Sequence, residues 1–101
     1  MIAYNITTQV DKGIAAAWLA WQQQEHIPAI LATGLFEAFR IYRLLDQEDL
    51  EGPTYVIQFF SSSREKLSQY VESHAPALRK EAADKWGDRF IAFRTVMEVV
   101  N

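Results

Sequence analysis

Apolar and polar positions alternate with a period of two at the start of the chain. Ile2, Tyr4, Ile6 and Val10 fall on one side, and Ala3, Asn5, Thr7 and Gln9 on the other, which predicts a first strand. The period then lengthens to that of a helix. Asp11 stands where it can cap a helix running from about Lys12, by accepting backbone N–H bonds that have no partner inside it. Ile14, Ala17, Trp18 and Trp21 share one stripe of that helix. Glu25 projects onto the same stripe, and His26 sits about a third of a turn away, beside Leu19. Pro28 has no backbone N–H and clashes with the preceding turn, so the helix should kink or break near His26. Pro28 then starts a short second turn, which Gly34 ends.

Leu35 to Asp46 reads as a long second strand with two mixed faces. One carries Leu35, Glu37, Phe39, Ile41, Arg43 and Leu45. The other carries Phe36, Ala38, Arg40, Tyr42 and Leu44, and the pattern does not say which points inward. The acidic run from Asp46 to Pro53 reads as an exposed hairpin loop. A third strand covers residues 54–60, with Tyr55, Ile57 and Phe59 opposite Val56, Gln58 and Phe60. Ser62 to Glu65 fits a capping box that opens a second helix with a stripe of Leu67, Tyr70, Val71, His74 and Leu78. Pro76 should kink this helix as Pro28 kinks the first, and Gly87 should end it. His26-Ile27-Pro28-Ala29-Ile30 is echoed by His74-Ala75-Pro76-Ala77-Leu78. Residues 90–100 form the last strand, with Ile91, Phe93 and Met97 opposite Phe90, Arg94, Val96 and Glu98.

The order strand, helix, strand, strand, helix, strand predicts an α+β ferredoxin-like βαββαβ sandwich. Right-handed crossovers place both kinked helices on one face of a four-stranded antiparallel sheet, in a single domain over residues 1–101. If the tyrosine- and isoleucine-rich sides of strands one and three face the helices, the open face carries Asn5, Thr7, Val56, Gln58 and Phe60. That face is too apolar to stay wet and too polar for an ordinary core. Covering it with the same face of a second chain gives a homodimer, a dimeric α+β barrel.

Composition narrows the chemistry. Ten basic and 13 acidic residues give a net charge of -3, which argues against a nucleic-acid binder. With no cysteine, thiolate nucleophiles, disulfides and cysteine-ligated metals are excluded. No apolar run approaches the roughly 20 residues that span a bilayer, and the first residues lack signal-peptide character. The expectation is a cytoplasmic protein with no membrane partner and no cofactor.

Several stretches resemble one family. The opening Met-Ile-x-Tyr-Asn, Trp-x-x-Trp, Glu-His-Ile-Pro, Ala-Thr-Gly-x-Phe, His-Ala-Pro-x-Leu-Arg and Phe-x-Ala-Phe-Arg-Thr are similar to the bacterial proteins grouped as domain of unknown function 4286, over nearly the whole chain. More loosely, Trp-x-x-x-Glu-His-x-Pro followed by Gly-x-Phe resembles the wider dimeric α+β-barrel superfamily. That superfamily includes cofactor-free monooxygenases, cyclases and haem-degrading enzymes. The resemblance implies a ferredoxin-like dimer with a pocket between sheet and helices, and no particular reaction. Haem-degrading members use an asparagine on strand one, a tryptophan near the start of helix two and a histidine within it. Asn5 and His74 could match; the tryptophan has no counterpart.

His26 is the candidate base, with Glu25 to tune it; the competing role is a hydrogen bond to a carbonyl freed at the Pro28 kink. Trp21 and Tyr42, with Asn5 and His74, could shape a pocket for a small apolar or aromatic molecule. Trp18 and Trp21 at helical spacing could equally be core, and His74 a core histidine. Arg40 or Arg94 could hold an anionic group; Arg94 could instead pair with Glu98 or Glu37. Two histidines 48 residues apart, with only Glu25 as a further ligand, do not make a metal site. Two readings stay open: a ligand-binding dimer, extending to cofactor-free oxygenation or cyclisation with His26 as base, and a non-catalytic dimer with a filled core.

Overall fold

The computed structural model describes residues 1–101. The chain runs β1 (Ile2–Val10), α1 (Ala15–Trp21), a π-helical turn (Gln22–His26), α2 (Ile27–Leu31), β2 (Ala38–Arg43), β3 (Thr54–Ser61), α3 (Arg64–Ser73), α4 (Ala75–Trp86) and β4 (Phe90–Glu98). The strands form one antiparallel sheet in the order β2-β3-β1-β4, the ferredoxin-like arrangement that the element order implies. No helix is long and apolar enough to cross a membrane.

Register assigns the faces. Tyr4 pairs with Phe59 and Val96, and Ile6 with Ile57 and Arg94. Side chains alternate across a strand, so β1 turns Ile2, Tyr4, Ile6, Thr8 and Val10 to the helices, and β4 turns Phe90, Ala92, Arg94 and Val96 the same way. Phe39 pairs with Phe59 and Ile41 with Ile57, which settles the inward face of β2. The core sits between this face and the helices: Trp18, Ile27, Ile30, Leu67 and Tyr70 pack on Tyr4, Ile57 and Phe59. Tyr4, Phe36 and Tyr70 form an aromatic cluster with centroids 4.8–6.2 Å apart.

Three local expectations change. β2 is six residues long, not twelve. The segment before it is held by Ser61, whose hydroxyl donates to the Leu35 carbonyl at 3.0 Å, while Glu37 N–H donates to Phe60. Asp11 does not cap α1; its Oδ1 accepts from Gly13 N–H at 2.7 Å and from Arg89 at 3.2 Å, shaping the turn between β1 and the helix. Ser63, not Ser62, caps α3, accepting from Lys66 N–H at 3.2 Å. That puts lysine where a capping box needs glutamate. The kink at Pro76 falls as expected, at His74 between α3 and α4, and Gly87 with φ 60° ends α4.

Candidate functional site

The first helix carries the site because of how it meets Pro28. Proline at position 28 cannot donate to the Gln24 carbonyl and would clash with it in a regular helix. The chain responds by widening: Ile27 N–H donates to Gln22 O, five residues back, and the π-helical turn runs through His26. A π turn places residue i+5, rather than i+4, over residue i. Glu25, which a regular helix would put above Trp21, is therefore exposed, and His26 takes its place. The imidazole stacks on Trp21, centroids 4.4 Å apart and planes 23° apart. Trp21 is in turn edge-on to Trp86 at 5.8 Å.

His26 faces a cavity of about 230 Å³ between β1, β4 and the helices. Tyr4 and Ile6 of β1 and Phe90, Ala92 and Arg94 of β4 form its floor. Ile30 of α2, Tyr70 of α3, and Leu78, Arg79 and Ala82 of α4 form its roof. A smaller void of about 40 Å³ continues beneath, sharing His26, Ile30, Ala82 and Arg94 and adding Thr8, Trp18 and Gln22. The lining of the larger cavity is mostly apolar, its polar groups are few, and no carboxylate is among them.

Those polar groups are poorly matched within the chain. His26 Nδ1 and Gln22 Oε1 are buried without hydrogen-bond partners. Burial, with the nearby Arg94 charge adding to it, holds the His26 pKa down to about 4, so the imidazole is neutral at physiological pH and keeps a free lone pair. Burial chiefly pushes the Tyr70 hydroxyl up to about 12; Tyr4 adds to the rise, and Arg79 and Arg94 oppose it. Arg79 donates to Tyr4 Oη at 3.0 Å. Neither Arg79 nor Arg94 has a carboxylate within salt-bridge distance; the three ion pairs present are Arg43–Asp49, Lys80–Asp84 and Asp11–Arg89. The pairing of Arg94 with Glu98 or Glu37 is thus not made.

Of the residues singled out in the sequence, the structure brings His26 and Arg94 into one cavity, with Trp21 directly behind the imidazole. Asn5, Arg40 and Tyr42 sit in adjoining rows on the opposite face of the sheet. His74 lies beyond Tyr70, ring centroids 6.3 Å apart, and does not line the cavity. Sequence reasoning missed Arg79, Tyr4, Tyr70 and Gln22. A signal existed for Gln22, a polar residue four positions after Trp18 on the apolar stripe. Arg79 lies in a charged run where helical spacing singles out no residue.

The profile of the family described as Domain of unknown function (DUF4286) matches residues 1–100. The chain belongs to this family. No curated protein matches it. Solved structures of similar fold supply a wider setting for this DUF4286 chain. An ethyl tert-butyl ether d (ethd) family protein from Bacillus halodurans is 14% identical with a TM-score of 0.68, covering 98% of this chain and 100% of its own. MhuD, solved with two manganese protoporphyrin IX bound per active site, is 18% identical with a TM-score of 0.68, covering 100% and 96%. SnoaB, a cofactor-independent oxygenase from Streptomyces nogalater, is 8% identical with a TM-score of 0.66, covering 99% and 94%. At these identities the likeness is one of fold. The DUF4286 chain is an α+β protein of the ferredoxin-like architecture that these structures share.

Proposed function

We propose that this chain is a homodimeric α+β barrel that binds a small apolar or aromatic molecule in the cavity between the sheet and the helices, with His26 as a neutral base in the wall. The observation that carries the reading is the His26 imidazole itself. It is mostly buried, has an unpartnered Nδ1, and faces an apolar cavity large enough for a ring. An imidazole that served only to satisfy a carbonyl at the Pro28 kink would have that bond, and Nδ1 has none.

A neutral imidazole of this kind accepts a hydrogen bond from a bound phenol, an arrangement compatible with the cofactor-independent oxygenation named for SnoaB; with its pKa held near 4 it is a weak base and leaves the phenol protonated in the resting complex. Size speaks against the other precedent. An apolar cavity of about 150 Å³ holds one benzene, so about 230 Å³ suits one substituted ring and not the porphyrins that MhuD binds.

The dimer rests on the other sheet face. Ile91, Phe93 and Tyr42 are 70%, 62% and 45% exposed there, in rows with Val56, Phe60 and Met97. Asn5 Oδ1, on the same face, is buried without a partner. A twofold copy of the face would cover the apolar rows and can offer Asn5 a donor.

The test is a screen of single-ring fragments by NMR, repeated on Ala82→Leu, whose added carbons enter the cavity. Fragments that shift His26 and Tyr70 in the natural protein and lose binding in the variant support the reading. Fragments that bind both equally, or bind neither, contradict it.

A further inference from the structure

Four of the cavity's polar groups donate. The Arg79 and Arg94 guanidiniums carry positive charge and have no carboxylate partner, and the Tyr70 hydroxyl is kept protonated by burial. Tyr4 Oη already accepts from Arg79 at 3.0 Å, which leaves its own hydrogen free to donate. Two unmet groups accept: Gln22, on the smaller void that His26 and Arg94 also line, is more than nine-tenths buried with Oε1 unpartnered, and neutral His26 holds a lone pair. Aromatic and aliphatic side chains fill the walls between. Buried acceptors without partners are costly, and a ligand that supplies a donor recovers that cost.

Resting on the small-molecule reading above, we propose that the ligand is a single-ring aromatic hydroxy acid. Its carboxylate lies among Arg79, Arg94, Tyr4 and Tyr70, and its hydroxyl donates toward Gln22 and His26. The carboxylate answers the uncompensated cations, since a guanidinium fork matches its two oxygens. The ring fits about 230 Å³, and the hydroxyl answers the His26 and Gln22 acceptors. The ring then stands with its hydroxyl at the imidazole, where neutral His26 accepts the hydrogen bond and the phenolic proton stays on its oxygen.

The test uses four probes by isothermal titration calorimetry at pH 7.5 in 150 mM NaCl: 3-hydroxybenzoate, 4-hydroxybenzoate, phenol and methyl 4-hydroxybenzoate. At least one hydroxybenzoate should bind about tenfold or more tightly than phenol and the ester, the scale of one charge-assisted hydrogen bond. Arg94→Gln should lower affinity for the acid by about tenfold and for phenol by less than about twofold. Gln22→Leu, close to the same volume, should weaken phenol and acid alike, with folding checked by circular dichroism. If phenol and the ester bind as tightly as the acids, or Arg94→Gln leaves the acid unaffected, the anionic class is overturned and the pocket reading survives. If none of the four binds, the pocket reading falls, and this inference with it.

Discussion

The His26 imidazole lies on the Trp21 indole, centroids 4.4 Å apart, although the two residues are five positions apart in the chain. Five is the spacing of the π-helical turn that Pro28 imposes, and that turn brings the histidine rather than Glu25 onto the buried stripe. The stack has two consequences. It shields one ring face from water, and it leaves Nδ1 buried without a partner.

Shielding makes stability depend on pH. An unfolded chain protonates a histidine at about 6.5; folded His26 resists until about 4. Above 6.5 both states are neutral and folding is undisturbed. As pH falls from 6.5 to 4, only the unfolded state gains the proton, so stability drops, by about 3 kcal/mol in all, and this loss stops growing below 4. Urea unfolding across pH 4–7 should show it as a difference from His26→Phe, which keeps a ring over Trp21 but cannot titrate. Parallel curves for the two proteins would contradict the buried, neutral assignment.

The open sheet face yields a second expectation. Phe93 is well exposed there and lies on β4 opposite Thr7, in the row next to that of Asn5 on the same face. Phe93→Glu would bury a charge wherever two such faces meet, at a cost of several kcal/mol without a partner. Light scattering should find the natural protein dimeric and this variant monomeric, with helical content unchanged. A variant that stays dimeric places the interface elsewhere.

Gly52 ends the acidic loop between β2 and β3 at φ 147°, and a Cβ there would stand 1.7 Å from the Val10 carbonyl oxygen. That close approach lets Lys12 N–H donate to Glu51 O at 2.8 Å and Val10 N–H donate to Pro53 O at 2.9 Å, tying the loop to the end of β1. Gly52→Ala should therefore cost more than about 3 kcal/mol, through both the clash and the backbone strain. Denaturant melts check this. Gly34, also at positive φ but with open space around its Cβ position, is the control, and its alanine variant should lose about 1 kcal/mol.

Much of the fold was legible because β1 and β3 alternate cleanly and both prolines and Gly87 punctuate the helices. The inward face of β2 was not, because an edge strand exposed on most of its length carries little burial signal; pairing of Phe39 with Phe59 fixes it. In the site, His26 and Arg94 stood out as a histidine beside a helix break and a cation among apolar neighbours. Their meeting was not legible, since it depends on the extra residue of the π turn and on β4 pairing Arg94 opposite Ile6. Asn5, Arg40 and Tyr42 carry the same kinds of side chain, yet strand parity sends them to the far face.

The most direct test of the central claim is an NMR titration of the His26 ring nitrogens, with and without a saturating single-ring fragment. The free protein should show a pKa near 4, and the ring shifts on adding the fragment should vanish in Ala82→Leu. An imidazole that titrates near 6.5 and ignores every fragment would mean that His26 is an ordinary solvated side chain, and that the cavity it faces is not a binding site.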